Sequence, residues 1–133
     1  MDRKQVMEMF NKRPRIGTLS TTNKNGDVNV AIFGSPQMTD ENTVVMGIGD
    51  NRSLSYLREN PKAVFIVMEP GNTPMDWKGC RVYLSVDRLE DHGDLLDSIR
   101  AKIAEAAGEA AAKMIRAAIR FKVTDVRQLI AAP

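Results

Sequence analysis

One short stretch of the sequence carries residue types that can bind an anion. Gly49-Asp50-Asn51-Arg52-Ser53 follows an apolar segment and precedes a helical one. A glycine allows close approach to the backbone, and a helix N-terminus offers unpaired N–H groups and the positive end of the helix dipole. Arg52 and the Ser53 hydroxyl add a charge and a donor in the same turn, so the stretch predicts a phosphate site. The pattern also fits an ordinary capped helix, and most such helices bind nothing.

The remaining reactive side chains form no recognisable catalytic set. The sequence has one cysteine and one histidine, which excludes an intrachain disulfide and comes close to excluding the usual zinc sites within one chain. Cys80 falls on the apolar side of a strand pattern and is expected in the core. His92 lies in an Asp-His-Gly segment and is expected in a surface turn. The residues alone therefore predict no acid–base catalyst.

Length and charge narrow the class of protein. The 133 residues amount to one domain, 1–133, with 43% hydrophobic and 27% charged residues. This composition is ordinary for a soluble globular domain. The net charge of +2 is too small to indicate nucleic acid or a membrane surface as a partner. The sequence shows no signal segment and no apolar run that could span a membrane, so we expect a cytoplasmic protein.

The hydrophobic pattern predicts mostly β-strands. Asn25-Gly26 favours a tight turn between two strands at 16–22 and 27–34. The other predicted strands are 43–48, 62–68, 79–90 and 119–126. Strands that follow one another through hairpins predict an antiparallel sheet or barrel, not a parallel sheet.

Helices are predicted between the strands. Residues 2–12 form a short amphipathic helix that Pro14 ends. A second helix begins at Asp50 or Asn51 and stops at Pro61. Residues 94–118 have helical spacing, with Gly108 as a dividing point. Asp125 is expected to cap a short terminal turn that runs through Leu129.

The order of these features resembles the FMN-binding split-barrel family related to pyridoxamine 5′-phosphate oxidase, from about residue 4 to residue 129. The segments that carry the resemblance are Arg15–Thr21, Val28–Ala31, Gly49–Ser53, Leu54–Ala63, Trp77–Val82 and Arg120–Val123. The resemblance implies a mainly β protein, a six-stranded antiparallel split barrel with appended helices. It also implies a homodimer with two FMN sites at the subunit interface.

The resemblance assigns site residues by position. Three groups would form the site: Asn51, Arg52 and Ser53 at the phosphate; the backbone of Asn29, Val30 and Ala31 and of Met46, Gly47 and Ile48 along the flavin ring; and the partner subunit's Trp77, Lys78 and Phe121 as candidates that complete the pocket.

A flavin-dependent oxidoreductase or electron carrier is the function that the resemblance implies, because bound FMN supplies the redox chemistry without a catalytic histidine. Two alternatives stay open. One is a non-enzymatic flavin-binding or sensing module, favoured by Asp50, an anion beside the expected phosphate. The other is a deazaflavin-binding reductase on the same fold. Haem is disfavoured because His92 is the only histidine. Pyridoxamine 5′-phosphate oxidase activity is not expected, because the sequence stops at Pro133 without the basic C-terminal segment of those enzymes.

Overall fold

The computed structural model describes residues 1–130, which contain seven strands and four helices. The strands are β1 (Ile16–Thr22), β2 (Val28–Ile32), β3 (Gln37–Asp40), β4 (Thr43–Ile48), β5 (Lys62–Glu69), β6 (Lys78–Glu90) and β7 (Ala117–Gln128). The helices are α1 (Arg3–Asn11), α2 (Arg52–Glu59), α3 (Asp94–Ala107) and α4 (Glu109–Lys113), with a 3₁₀ turn at Pro74–Asp76. Across residues 1–130, no helix has the length and apolar character needed to cross a membrane.

All seven strands belong to one antiparallel sheet in the order β2-β1-β5-β6-β7-β4-β3. Leu19 of β1 and Met38 of β3 lie near opposite ends of this order, yet both belong to the same buried core cluster. The sheet is therefore curled around that core, with α1 covering it through Val6 and Phe10. The mainly β, antiparallel class predicted from the sequence is confirmed.

The predicted hairpin between the first two strands is confirmed. Gly26 has a φ of +84°, in the region that favours glycine. The side-chain oxygen of Asn23 accepts hydrogen bonds from the backbone N–H groups of Asn25 and Asp27. The turn thus pairs β2 with β1 in a register that sets Asn29 opposite Thr21.

Two features differ from the sequence expectation. The strand count is seven, not six, because the four residues of β3 form a strand by pairing with β4, and only Met38 among them is buried. The prediction of a terminal turn capped at Asp125 is wrong. The chain continues as strand through Gln128, which pairs with Cys80 of β6. Strand β3 and the extension of β7 both form because they pair with neighbouring strands. The local sequence pattern does not show which strands will be neighbours.

Arg15 joins three parts of the fold at the start of β1. Its guanidinium donates to the backbone carbonyls of Phe10 and Pro36, and to that of Gly34 at 3.3 Å. The same group lies 4.9 Å and 5.1 Å from the ring centroids of Phe10 and Phe65. Helix α1 and the segment between β2 and β3 are thereby held against β1.

Helix α3 packs on the outer side of β4 and β7, and α4 packs on α3. A Cβ atom at Gly47 would lie 2.7 Å from the Ile99 side chain and 3.0 Å from that of Ile115, so glycine is what allows this close contact. Arg100 of α3 donates to the carbonyl of Ile115 at 2.6 Å. The predicted helical stretch does divide at Gly108, which has a φ of +94°, but it ends at Lys113, short of residue 118.

Candidate functional site

The start of α2 forms as the sequence predicts, with Asn51 as its N-cap. The Asn51 side chain accepts a hydrogen bond from Leu54 N–H at 2.9 Å, and its carbonyl accepts one from Ser55 N–H at 3.1 Å. Asn51 and Arg52 are exposed, whereas Ser53 is buried. The first turn therefore offers a capped helix end and an arginine that solvent can reach.

Strand β2 lies against this helix end. The Asn29 side-chain amide donates a hydrogen bond to the Ser53 hydroxyl at 3.2 Å. Thr21, opposite Asn29 on β1, is also buried, and its hydroxyl has no hydrogen-bond partner within residues 1–130. One of the three predicted phosphate-binding residues, Ser53, is thus next to a predicted strand of the flavin site. Buried hydroxyl and amide groups at a helix N-terminus can accept or donate hydrogen bonds to a bound polar group.

A groove of about 780 Å³ begins beside the same helix start. One wall is β4 with its extension to Asn51, and the opposite wall is formed by α3 and α4. The segment between β2 and β3 closes one side, where the Ser35 hydroxyl donates to the Gly47 carbonyl at 2.7 Å. Four predicted site residues line the groove, namely Met46, Gly47, Ile48 and Asn51.

The predicted residues of β2 divide between its two sides. Asn29 and Ala31 are half-buried, and Val30 points to the opposite, exposed side. The groove beside β4 is lined from Ile32 onward, not by Asn29, Val30 or Ala31. Arg52 and Ser53 are also absent from its lining. The candidate site therefore has two adjoining parts: the Asn29–Ser53 contact, and the groove that starts at Asn51.

The three candidates for completion of the pocket lie elsewhere in the chain. Trp77 lines a separate cleft of about 300 Å³ with Met68, Pro74 and Leu129. Lys78 follows it at the start of β6, where it pairs with Glu69. Phe121 is fully buried in the core, so its ring is not presented to a ligand and we leave it out of the proposed site.

The single cysteine and the single histidine lie where the sequence analysis expected them. Cys80 is fully buried, and burial raises the pKa of its thiol to about 11. His92 lies in the turn before α3, with 95% of its side chain exposed. Neither residue lines the groove beside β4.

Sequence reasoning missed the helical wall of the groove. Ile99, Lys102, Ile103 and Ala106 follow helical spacing along one face of α3 and line the groove together. This periodicity was visible as an apolar helix face. What the sequence did not reveal is that the face packs on β4 beside Gly47, because that depends on the strand order.

Solved structures with the same chain fold provide the comparison. An FMN-binding protein from Syntrophomonas wolfei superposes with a TM-score of 0.82 at 21% identity, over 98% of this chain and 90% of that one. A haem-storage protein from Vibrio cholerae gives 0.69 at 16% identity, over 96% and 94%. An F420 reductase gives 0.65 at 18% identity, over 93% and 94%.

Pyridoxamine 5′-phosphate oxidase-like proteins are also among the matching structures. No protein-family model and no curated protein matches the sequence. At these identities the likeness concerns the fold, and the names of the proteins that share it refer to FMN, to haem and to F420. The chain has the split-barrel fold of the FMN-binding, pyridoxamine 5′-phosphate oxidase-like proteins.

Proposed function

We propose that this chain binds FMN and works as a flavin-dependent oxidoreductase or electron carrier. The observation that carries the proposal is the 3.2 Å hydrogen bond from Asn29 to Ser53. It joins β2 to the first turn of α2, where Arg52 is exposed. A cation, a hydroxyl and a helix N-terminus in one place are suited to a phosphate group.

The residues around this contact fit a flavin phosphate. The buried Ser53 and Thr21 hydroxyls supply hydrogen-bonding groups, and that of Thr21 has no partner in the described chain. Arg52 supplies the positive charge. Asp50 is an anion nearby, but it is exposed, and solvent screens its repulsion of a phosphate.

The groove beside β4 fits the ring end of the same cofactor. It begins at Asn51, next to the proposed phosphate position, and continues along Met46, Gly47 and Ile48. Backbone groups there can orient a flat ring, and the apolar helix wall keeps water away from one side of it. When bound, FMN supplies hydride or electron transfer. The chain's own residues hold and orient the cofactor.

We further propose that two copies associate through the outer side of β1, β2 and β5. Val28, Val30 and Ile32 of β2 are 80%, 63% and 73% exposed. The strand register places Val30 opposite Ser20 and Ser20 opposite Val64, so the outward residues form one continuous surface. Apolar side chains concentrated on an edge strand favour association with another protein surface. A second copy is the partner that we propose for this outer surface.

Other cofactors are outcomes of the same test. A deazaflavin would use the same groove beside β4, and the protein would then be a deazaflavin-binding reductase. A haem would need an axial ligand, and the only histidine lies in the exposed turn before α3. Tight flavin binding without turnover would favour the sensing module.

The decisive experiment is an absorbance spectrum of the purified protein, with chromatographic identification of any cofactor released on denaturation. We expect flavin absorption, or its appearance after incubation of colourless protein with FMN. Protein that stays colourless and shows no FMN binding by calorimetry would contradict the proposal. Released deazaflavin or haem would replace FMN with that cofactor.

A further inference from the structure

The groove beside β4 has a volume of about 780 Å³ and is lined by both apolar and cationic side chains. We propose that it also binds an apolar organic anion, such as an aromatic carboxylate or sulfonate, next to the flavin. The inference that this anion is a substrate rests on the proposed function. Binding of the anion itself depends only on this chain's residues.

An apolar body is favoured by the walls of the groove. Ile99 and Ile103 of α3 lie on one side, and Ile32 lies at the margin. Met114 also lines the groove although it is 71% exposed. A ligand that covers these side chains removes apolar surface from water, which stabilises the complex.

A negative charge on the ligand is favoured by the ionic groups of the groove. Lys102 and Arg13 line it, against the single carboxylate of Asp50. Among residues 1–130, Lys102 forms no ion pair. Partial burial lowers the pKa of the Arg13 guanidinium, which means that water stabilises its charge incompletely. An anion nearby would compensate for the lost hydration.

The size of the groove leaves room for a small ligand beside the ring end of a flavin. Its volume is about 780 Å³, near the upper part of the roughly 300–1,000 Å³ range of small-molecule sites. Ala106 and Ala107 line the groove near Lys102, and their small side chains leave space there. Larger side chains at these positions would fill the space that we assign to the anion.

The test uses two fluorescent probes that differ in charge. The first is 8-anilinonaphthalene-1-sulfonate, and the second is N-phenyl-1-naphthylamine, which has the same rings without the sulfonate. We expect Lys102→Gln to weaken binding of the sulfonate about fivefold, as for a partly exposed ion pair, and to leave the neutral probe unchanged. Lys113→Gln, on α4 outside the groove, is the charge-matched control and should change neither.

A second pair of variants tests the position of the site. Ala106→Trp should weaken both probes because the indole fills the groove. Ala101→Trp places the same side chain on an exposed position of α3 outside the groove and should have no effect. Equal sulfonate affinity in Lys102→Gln and Lys113→Gln, or in both tryptophan variants, would overturn the inference.

FMN titrations of the same proteins separate this inference from the proposed function. If the protein binds FMN but Lys102→Gln leaves the affinity for the sulfonate unchanged, the anion site is contradicted and the proposed function is not. A Lys102-dependent sulfonate site in protein that does not bind FMN would remove the proposed function alone. Simultaneous binding of FMN and the sulfonate is expected, and complete mutual exclusion would overturn the assignment of the groove to a second molecule.

Discussion

The side-chain amide of Asn29 donates a hydrogen bond to the hydroxyl of Ser53, although the two residues lie 24 positions apart on a strand and a helix. The contact joins two segments that the sequence predicted to hold different parts of a flavin. Its position beside Arg52 leads to the first prediction.

Arg52→Ala should weaken FMN binding about tenfold or more, because it removes a charge-assisted hydrogen bond to the phosphate. Isothermal titration calorimetry measures the change in Kd. Arg58→Ala is the matched control, since Arg58 is also exposed on α2 but at its far end. Equal affinities of the Arg52 and Arg58 variants would remove Arg52 from the site.

Arg15→Lys should lower the free energy of unfolding by about 2 kcal/mol, although the charge is kept. Lysine lacks the planar group that reaches the carbonyls of Phe10, Gly34 and Pro36 and stacks on the aromatic rings. Urea unfolding measures the change. Arg116→Lys, at an exposed position, should be nearly neutral, and equal destabilisation of the two variants would contradict the role of Arg15.

Gly47→Ala should destabilise the protein by about 1–3 kcal/mol. The added Cβ would lie 2.7 Å from the Ile99 side chain, so that side chain must move and its packing against β4 is disturbed. Gly34→Ala is the control, because no atom lies within 4 Å of the Cβ it would add. Thermal unfolding of the two variants distinguishes them, and wild-type stability of Gly47→Ala would show that the helix is not held at this point.

Val30→Glu should convert the proposed dimer to a monomer, because it places a charge in the middle of the apolar outer surface. Analytical ultracentrifugation measures the mass. Met75→Glu changes another exposed apolar residue, 73% exposed and far from β2 along the chain, and should leave the mass unchanged. A wild-type protein that sediments as a monomer would refute the association.

Cys80 should resist alkylation in the folded protein at mildly alkaline pH. It is fully buried, and its thiol pKa is raised to about 11 by burial, so the reactive thiolate is scarce below that pH. Iodoacetamide labelling followed by mass spectrometry should report rapid modification only after denaturant is added. Equal rates with and without denaturant would be inconsistent with a core position.

Much of the fold followed from local patterns in the sequence. The turn at Asn25-Gly26, the cap at Asn51 and the division at Gly108 depend on residues close together in the chain, and each was predicted. Strand β3 was not, because Gln37–Asp40 has one buried residue and becomes a strand through β4. The extension of β7 past Asp125 likewise depends on its pairing with β6.

The candidate site was predictable to a similar degree. The helix start at Asn51–Ser53 is a local feature and could be identified. The contact with Asn29 and the packing of α3 against Gly47 depend on which elements meet in space. The alternating pattern that placed Phe121 on β7 does not tell whether its ring faces the core or a ligand.

The strand order gives the proposed site a mechanical consequence. β2 is one edge of the sheet and β4 is next to the other, so no backbone ladder joins the two strands. A molecule bound between Asn29 and Ile48 would bridge β2 and β4 and would restrain their separation. Hydrogen exchange along β2 would then slow on ligand binding. The exchange rate of the β2 amides would therefore report how much of the site is occupied.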